Sequence, residues 1–500
     1  MSALVSIPSA STPIQFGTDG WRGVIAADFT CDRLAQAASA AAQVLQQTYG
    51  PETQSRTILV GYDRRFLSEV FAQVTAAAIA AQGLEPLLAA TYAPTPALSW
   101  AAHQRRALGA LVITASHNPA SYSGLKIKGA FGGSVPPEVT QQVEAAIDPQ
   151  FQLTPAATSQ TFATFDPWGD YCRALATKVD IAAIRAAIVA GRLQVFADVM
   201  HGAAAGGLAR ILGTEIHELH SDRDPLFGGG APEPLPRYLE TLLAHLRQRA
   251  ATVTDGSVAI GLVFDGDGDR IAAVNGQGEF LSPQILIPVL IDHLVTRQQG
   301  KGEVIKTLSG SDLIPQVAQL HGLPVYETPI GYKYIADRML ERATQQQPVL
   351  LGGEESGGIG YGTHVPERDA LLSALYLLEA CTQSGQDLST LYDQLVAQTA
   401  LGKLTRRSVY DRIDLPLASL EVRARLLQQL QTQPPQVVAG QAVRSLQTID
   451  GYKFRLGDGY WLLIRFSGTE PLLRLYCEAP TAAQVEATLA WAKEWALTTA

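Results

Sequence analysis

The feature that most constrains the fold is a recurring alternation of short, largely apolar strands with helices. Residues 57–61, 84–89 and 110–113 read as strands, set among helices over 33–47, 68–81 and 97–106. In the first helix Leu34, Ala38, Ala41 and Leu45 share one face, the spacing of a helix docked on a core. The theme returns with strands at 193–199, 215–219 and 258–264 and helices near 203–213 and 235–251. A third round has strands at 303–308, 324–328 and 348–352, with helices near 283–298, 311–321, 332–343 and 369–383. Apolar strands alternating with helices predict parallel pairing with both sheet faces covered.

The last hundred residues break this pattern. Strands at 461–464 and 472–478, a loop of seven between them and a final helix over 481–497 predict an antiparallel α+β unit. At roughly 150 residues per domain, 500 residues suggest about three domains. The pattern itself divides into four. The expected fold class is α/β: three similar α/β domains with mixed, mostly parallel sheets, over 1–165, 166–278 and 279–400, plus a C-terminal α+β domain over 401–500. The charge-poor stretch 148–167 and the Gln/Pro-rich stretch 430–440 read as connections. Composition does not mark the boundary between the second and third units.

Charge narrows the partners. Against 38 Lys and Arg stand 47 Asp and Glu, a net charge of −9, and no basic run occurs. That argues against nucleic acid or an anionic membrane as partner, while leaving room for a local basic pocket that takes an anionic small molecule. No stretch of about 20 apolar residues offers a membrane span. Residues 1–13 hold no Lys or Arg and no long apolar core, a poor match to a signal peptide, so a cytoplasmic protein is expected. The four cysteines, Cys31, Cys172, Cys381 and Cys477, lie too far apart for a disulfide framework or a Cys-based zinc site.

Four loops carry candidate chemistry, and the first three follow predicted strands, where ligands of parallel α/β units bind. In Thr114-Ala115-Ser116-His117-Asn118-Pro119, the proline places Ser116 in a turn where its hydroxyl can be exposed and act as a nucleophile, with His117 or Lys126 to handle charge or protons. The alternative is a helix-capping serine beside a satisfied histidine. In Asp265-Gly266-Asp267-Gly268-Asp269-Arg270, alternating carboxylates of an extended segment point to one side, and the glycines leave room for a hard cation, Mg²⁺ or Ca²⁺. An EF-hand is excluded, because Arg270 and Gly276 stand where its Gly and Glu belong. Without a cation, three such carboxylates repel one another.

Gly352-Gly353-Glu354-Glu355-Ser356-Gly357-Gly358 offers acceptors and a hydroxyl suited to sugar hydroxyls, or is a glycine-rich surface turn. Arg465-Phe466-Ser467-Gly468-Thr469-Glu470-Pro471 combines an arginine fork, hydroxyls and exposed backbone N–H groups into a phosphate cradle, or is a hairpin loop with a surface arginine. Neither G-x-x-x-x-G-K-[ST] nor G-x-G-x-x-G occurs, so the P-loop and Rossmann fingerprints are absent.

In this order, the four loops resemble the signatures of the α-D-phosphohexomutase superfamily, the phosphoglucomutases, phosphomannomutases and phosphoglucosamine mutases. The resemblance runs from Phe16-Gly17-Thr18-Asp19-Gly20-Trp21-Arg22-Gly23 to residue 471, nearly the whole chain. It implies that Ser116 carries a phosphoryl group and that Asp265, Asp267 and Asp269 hold Mg²⁺ against it. It implies that Arg22, His117, Lys126 and Arg270 line the reaction centre, with Lys126 as general base. Glu354 and Ser356 would bind sugar hydroxyls, and Arg465, Ser467, Gly468 and Thr469 the non-reacting phosphate. Gly331-Tyr332-Lys333 resembles a further substrate loop. Some branches carry a histidine where this loop has Gly358, so no acid–base role transfers to that position.

The reaction implied is interconversion of glucose 1-phosphate and glucose 6-phosphate, an isomerase-class intramolecular phosphotransfer. Phosphoserine would donate to the sugar, and the resulting glucose 1,6-bisphosphate would turn around before returning its other phosphate, with the C-terminal domain closing over it. The alternatives are a glucose 1,6-bisphosphate synthase, a phosphomannomutase or phosphoglucosamine mutase, and a non-catalytic sugar-phosphate regulator. Intact loops argue against the last. Oligomeric state is not legible in the sequence.

Overall fold

The computed structural model describes residues 13–17, 19–154, 160–253, 256–399, 408–467 and 472–499. Three mixed sheets and one antiparallel sheet organise the chain, as the sequence pattern predicts. In the first sheet the strands run in the order Trp21–Val24, Tyr122–Gly129, Gly109–Ile113, Thr57–Tyr62, Glu85–Ala89 and Ala163–Phe165. The first two pairings are antiparallel and the other three parallel. The second sheet runs Phe280–Leu281, Ile271–Asn275, Val258–Phe264, Leu193–Asp198 and His217–Leu219, and the third Val325–Thr328, Glu303–Thr307, Val349–Gly353 and Ile359–Tyr361. Each again joins parallel pairs to an antiparallel edge. The fourth sheet, Val409–Pro416, Leu472–Ala479, Tyr460–Phe466, Tyr452–Gly457 and Ser445–Gln447, is wholly antiparallel.

The two stretches read as connections contain structure. Ala163–Phe165 adds a parallel edge strand to Glu85–Ala89. Residues 430–432 finish the helix Leu420–Thr432, and Val437–Val438 pairs with Gln441–Ala442. Both segments are too short and polar to show a period.

Helix boundaries follow local chemistry. Thr30 caps Cys31–Thr53, its hydroxyl accepting from the Arg33 N–H, and Leu34, Ala38, Ala41 and Leu45 are fully buried. Asp369 caps Ala370–Ser384, which ends at Gly385 in the left-handed conformation.

One apolar core runs through all three α/β units. Leu59, Leu98 and Val112 of the first, Val195, Leu208 and Leu262 of the second, and Leu290, Leu351 and Leu375 of the third belong to one buried cluster. No solvated linker is needed between units that share a core, so composition marks no boundary there. The C-terminal sheet has its own core. It meets the third unit through Leu308, Ile330, Trp461, Leu463 and Tyr476, and buried Glu478 accepts from the Asp312 N–H and the Trp461 indole N–H. Among the described residues, no helix is long and apolar enough to cross a membrane.

Candidate active site

The Thr114–Pro119 loop joins two antiparallel strands, Gly109–Ile113 and Tyr122–Gly129. Ser116 stands at its tip with φ 51°, a left-handed conformation that a non-glycine residue adopts only when its surroundings impose it. The constraint is visible. The Ser116 N–H donates to Thr114 Oγ1 at 2.9 Å, and the buried Arg65 guanidinium donates to the carbonyls of Ser116, Asn118, Pro119 and Tyr122 at 2.6–3.1 Å. Ser116 is not exposed, as its turn position suggested. It is buried because the aspartate loop of the second unit closes over it.

Ser116 Oγ donates to Asp265 Oδ2 at 2.8 Å. The segment 265–269 is a turn rather than an extended strand. Asp265 Oδ1 accepts from the N–H groups of Asp269 and Arg270 at 3.0 and 3.1 Å, and the Gly268 N–H donates to the Asp265 carbonyl. The turn, not strand alternation, makes the carboxylates converge, with one ligand atom from each of Asp265, Asp267 and Asp269 within 4.8 Å of the others. The glycines serve the turn and its docking. Gly268 has φ +67°, and a Cβ on Gly266 would collide with the Ser116 carbonyl oxygen.

These residues fit a divalent cation. All three aspartates are fully buried, and Oδ1 of both Asp267 and Asp269 has no hydrogen-bond partner. Burial and the neighbouring charges of Asp267 and Asp269 push the Asp265 carboxyl well above its usual range. A hard dication on carboxylate oxygens relieves both the orphaned atoms and the repulsion.

Lys126 lies across the same carboxylates, its Nζ 2.7 Å from Asp19, 2.7 Å from Asp267 and 2.8 Å from Asp269. Burial favours the neutral amine, yet the three acids outweigh it and raise the Lys126 pKa. In this arrangement Lys126 is an acid, and a general-base role requires the carboxylates to release it. His117 Nδ1 is 3.4 Å from Ser116 Oγ, and burial, then Arg270 and Arg22, drive its pKa well below the usual value, leaving a neutral ring. Arg22 donates to Asn118 Oδ1 at 2.6 Å, and Arg270 Nε is buried without a hydrogen bond.

Arg270 also bridges to Gly358 through the backbone, and the Ile271 N–H donates to the Gly357 carbonyl, so the aspartate and sugar loops touch. Glu354 is buried and its carboxyl is pushed up to about 7 by burial, against the pull of Arg368. Glu355 is held away from it, accepting from Ser309 Oγ at 2.5 Å and Thr307 Oγ1 at 3.1 Å. Ser356 is half-buried. The space beside Gly358, where a side chain would stand, is filled by the aliphatic stem of Arg368.

Of the substrate loop, Gly331 takes φ +131° and Lys333 lines a cavity of about 290 Å³ with Gly17, Asp19 and Ser134. Tyr332 turns inward, its ring among Ile305, Ile335 and Met339. Arg465 and Ser467 stand at the end of Tyr460–Phe466 in the C-terminal sheet, while Gly468 and Thr469, like Thr18, lie outside the described residues.

Sequence reasoning gave no role to four residues of this site. Arg368 Nη2 is 2.8 Å from Asp269 and also meets Asp19, Asp19 binds Lys126, Thr95 Oγ1 donates to Asp267 at 2.5 Å, and Arg65 holds the serine loop. Asp63-Arg64-Arg65 follows the strand Thr57–Tyr62 and Glu367-Arg368-Asp369 precedes an apolar helix. Charge runs at element ends were the available signal.

Comparison with known proteins places this arrangement. Four phosphoglucomutase/phosphomannomutase family profiles match in chain order: α/β/α domain I over residues 13–153, domain II over 169–278, domain III over 282–399 and the C-terminal domain over 421–490. A phosphoglucosamine mutase from Frankia casuarinae is 30% identical over 490 residues, covering 94% of this chain and 95% of that protein. A phosphoglucomutase/phosphomannomutase from Thermococcus kodakarensis is 27% identical over 469 residues, covering 93% and 94%. Among solved structures, a Thermus thermophilus protein whose assignment as a phosphomannomutase is provisional superposes with a TM-score of 0.81 at 32% identity, covering 97% and 99%. The chain is an α-D-phosphohexomutase-type enzyme, an isomerase-class phosphotransferase. It belongs to the phosphoglucomutase/phosphomannomutase family.

Proposed function

We propose that the protein interconverts glucose 1-phosphate and glucose 6-phosphate through phosphoserine at Ser116 and a glucose 1,6-bisphosphate intermediate. The observation that carries the reading is the bond from Ser116 Oγ to Asp265 in a buried, charge-strained aspartate triplet. Asp265, Asp267 and Asp269, with phosphorylated Ser116, would hold Mg²⁺, which offsets charge on the transferring phosphoryl oxygens. His117 lies 3.4 Å from the serine oxygen, and Arg22 and Arg270, whose charges act on His117, would hold the phosphoryl group. Lys126, released from its carboxylates, would exchange a proton with the sugar hydroxyl. Glu354 and Ser356 would take sugar hydroxyls. Gly331 and Lys333 would line the sugar's path, and Arg465, Ser467, Gly468 and Thr469 would hold the distal phosphate. In this reading residues 1–165 carry the serine, 166–278 the metal, 279–400 the sugar contacts and 401–500 the phosphate cradle. The protein would work in the cytoplasm.

Glucose is preferred over an amino sugar on charge grounds. Glu354, pushed up to about 7, offers an ammonium group only a partly charged partner near neutral pH, and Glu355 has one oxygen, Oε2, taken by Ser309 and Thr307. The names of the relatives support a second reading, a phosphoglucosamine mutase. Peptide mass measurement should find phosphate on Ser116, and Ser116→Ala should fold yet lose nearly all mutase turnover. Wild-type turnover in that variant would refute the mechanism. A panel of hexose phosphates with Mg²⁺, with and without glucose 1,6-bisphosphate, then separates the two substrates.

A further inference from the structure

Asp450 lies in the turn between the strands Ser445–Gln447 and Tyr452–Gly457 of the C-terminal sheet. One of its oxygens, Oδ2, accepts twice: from Arg465 Nε at 2.9 Å and from the Ile330 N–H at 2.9 Å. Ile330 immediately precedes Gly331 and is packed against Trp461 and Leu463. A single carboxylate oxygen therefore joins the arginine of the phosphate loop to the substrate loop of the third unit. The turn is built for this approach. Gly451 has φ +93°, and a Cβ there would meet the Ile464 carbonyl at 2.5 Å and Arg465 Cα at 3.1 Å. Asp450, Gly451 and Arg465 line one cavity of about 210 Å³.

We propose that Asp450 is a positioning residue for phosphate binding, acting through Arg465; this rests on the reading of Arg465 as a phosphate ligand. Because Asp450 takes the Nε edge, the terminal edge of the guanidinium, Nη1 and Nη2, is left to accept a phosphate dianion in a forked pair of hydrogen bonds. Fixing the arginine before the ligand arrives removes rotamer freedom that binding would otherwise have to remove. The shared oxygen also makes the guanidinium and the Gly331–Lys333 loop move together, so both ends of a sugar phosphate meet one registered surface.

Asp450 has an opposing effect, since its negative charge weakens the attraction of Arg465 for an anion. Both side chains are partly exposed, Asp450 by 24% and Arg465 by 15%, so that repulsion is screened while the geometric constraint is not. Positioning should dominate.

The test uses the full-length phosphorylated enzyme with Mg²⁺ and whichever hexose 1-phosphate it turns over fastest. Asp450→Ala should raise KM about tenfold with kcat within about twofold, because a phosphate held in ground and transition states alike contributes to binding only. Asp450→Asn, whose amide oxygen can still accept from both donors, should stay within about threefold of wild type. The double variant Asp450→Ala/Arg465→Ala should match Arg465→Ala within about twofold, since Asp450 has nothing left to position. If Asp450→Ala does not fold, Asp450→Ser, too short to reach both donors, carries the same expectations. An unchanged KM in Asp450→Ala, alongside a raised KM in Arg465→Ala, overturns the proposal alone. So does a lowered KM, which would make Asp450 a competitor of phosphate. An unchanged KM in Arg465→Ala overturns the phosphate-cradle reading itself, and the proposal with it.

Discussion

Ser116 Oγ donates to Asp265 Oδ2 at 2.8 Å across 149 positions of sequence. Two loops that begin as the ends of separate sheets thereby form one surface. The fit extends to the backbone, because a Cβ at Gly266 would strike the Ser116 carbonyl oxygen. Nucleophile and metal loop therefore depend on one another's position, and a substitution in either should disturb both.

Asp267 offers the clearest test of the metal. Its Oδ1 is buried without a partner, while Oδ2 accepts from Thr95 and meets Lys126. Asp267→Asn keeps the shape and removes a charged ligand. The Mg²⁺ concentration for half-maximal activity should rise by about tenfold or more, and isothermal titration with Mg²⁺ should show the same weakening. Activity that survives exhaustive chelation would exclude the metal role.

Arg65, which holds the serine loop, can be tested by a stability measurement that does not depend on turnover. It is fully buried, donates to four backbone carbonyls of the serine loop and faces Asp63 at 3.2 Å. Arg65→Ala strands those carbonyls and a buried carboxylate, so chemical denaturation should show a loss of about 3–5 kcal/mol. Hydrogen exchange should rise first in residues 114–122. A loss under about 1 kcal/mol would mean that water replaces the guanidinium.

Lys453 gives a pH dependence. Burial, then the charge of Lys306, pushes its ammonium down to about 7 from 10.5, against the pull of Asp312. Between those values the unfolded chain binds one more proton than the folded one, so this group makes stability rise with pH up to about 10.5. Below about pH 7 both states are protonated and the slope ends. Lys453→Met should remove up to about 1.4 kcal/mol per pH unit of slope between pH 7 and 10, read from urea unfolding beside wild type. An unaltered slope would show that Lys453 titrates alike in both states.

Legibility in the sequence followed the range of the forces. Periodicity revealed the three α/β units and the α+β end, because apolar burial repeats along each element. It missed the edge strands Trp21–Val24 and Ala163–Phe165, whose partners lie far along the chain, and also antiparallel strands such as Tyr122–Gly129, Ile271–Asn275, Ile359–Tyr361, Val409–Pro416 and Tyr452–Gly457. The aspartate loop was legible from local composition, and the serine loop only through the resemblance of all four loops taken in order. Arg368 was not, because its importance lies in reaching Asp269, Asp19 and the space beside Gly358, which only tertiary structure brings together. The burial of Ser116 was likewise hidden, since the lid over it comes from another unit.

The hexose preference is the most demanding prediction. Every hexose 1-phosphate offers the same phosphate, so discrimination must arise at the sugar hydroxyls, where Glu354 and Ser356 stand. The two glutamates of this loop are not equivalent acceptors, because Ser309 and Thr307 both donate to Glu355 Oε2. Glu354, pushed up to about 7, can present either a carboxylate or a carboxylic acid near neutral pH, and either form can bond a hydroxyl. A sugar ammonium gains charge attraction from the carboxylate alone. An epimer that leaves one such buried group unpaired loses roughly 1–3 kcal/mol. On that scale kcat/KM for glucose 1-phosphate should exceed that for mannose 1-phosphate by about tenfold or more. Glucosamine 1-phosphate should be the poorer substrate below pH 7, where Glu354 is protonated, and should gain on glucose as pH rises through 7. Equal or greater efficiency with mannose or glucosamine phosphates at pH 7 would overturn the preference. Release of glucose 1,6-bisphosphate as the main product would instead identify a bisphosphate synthase built on the same phosphoserine.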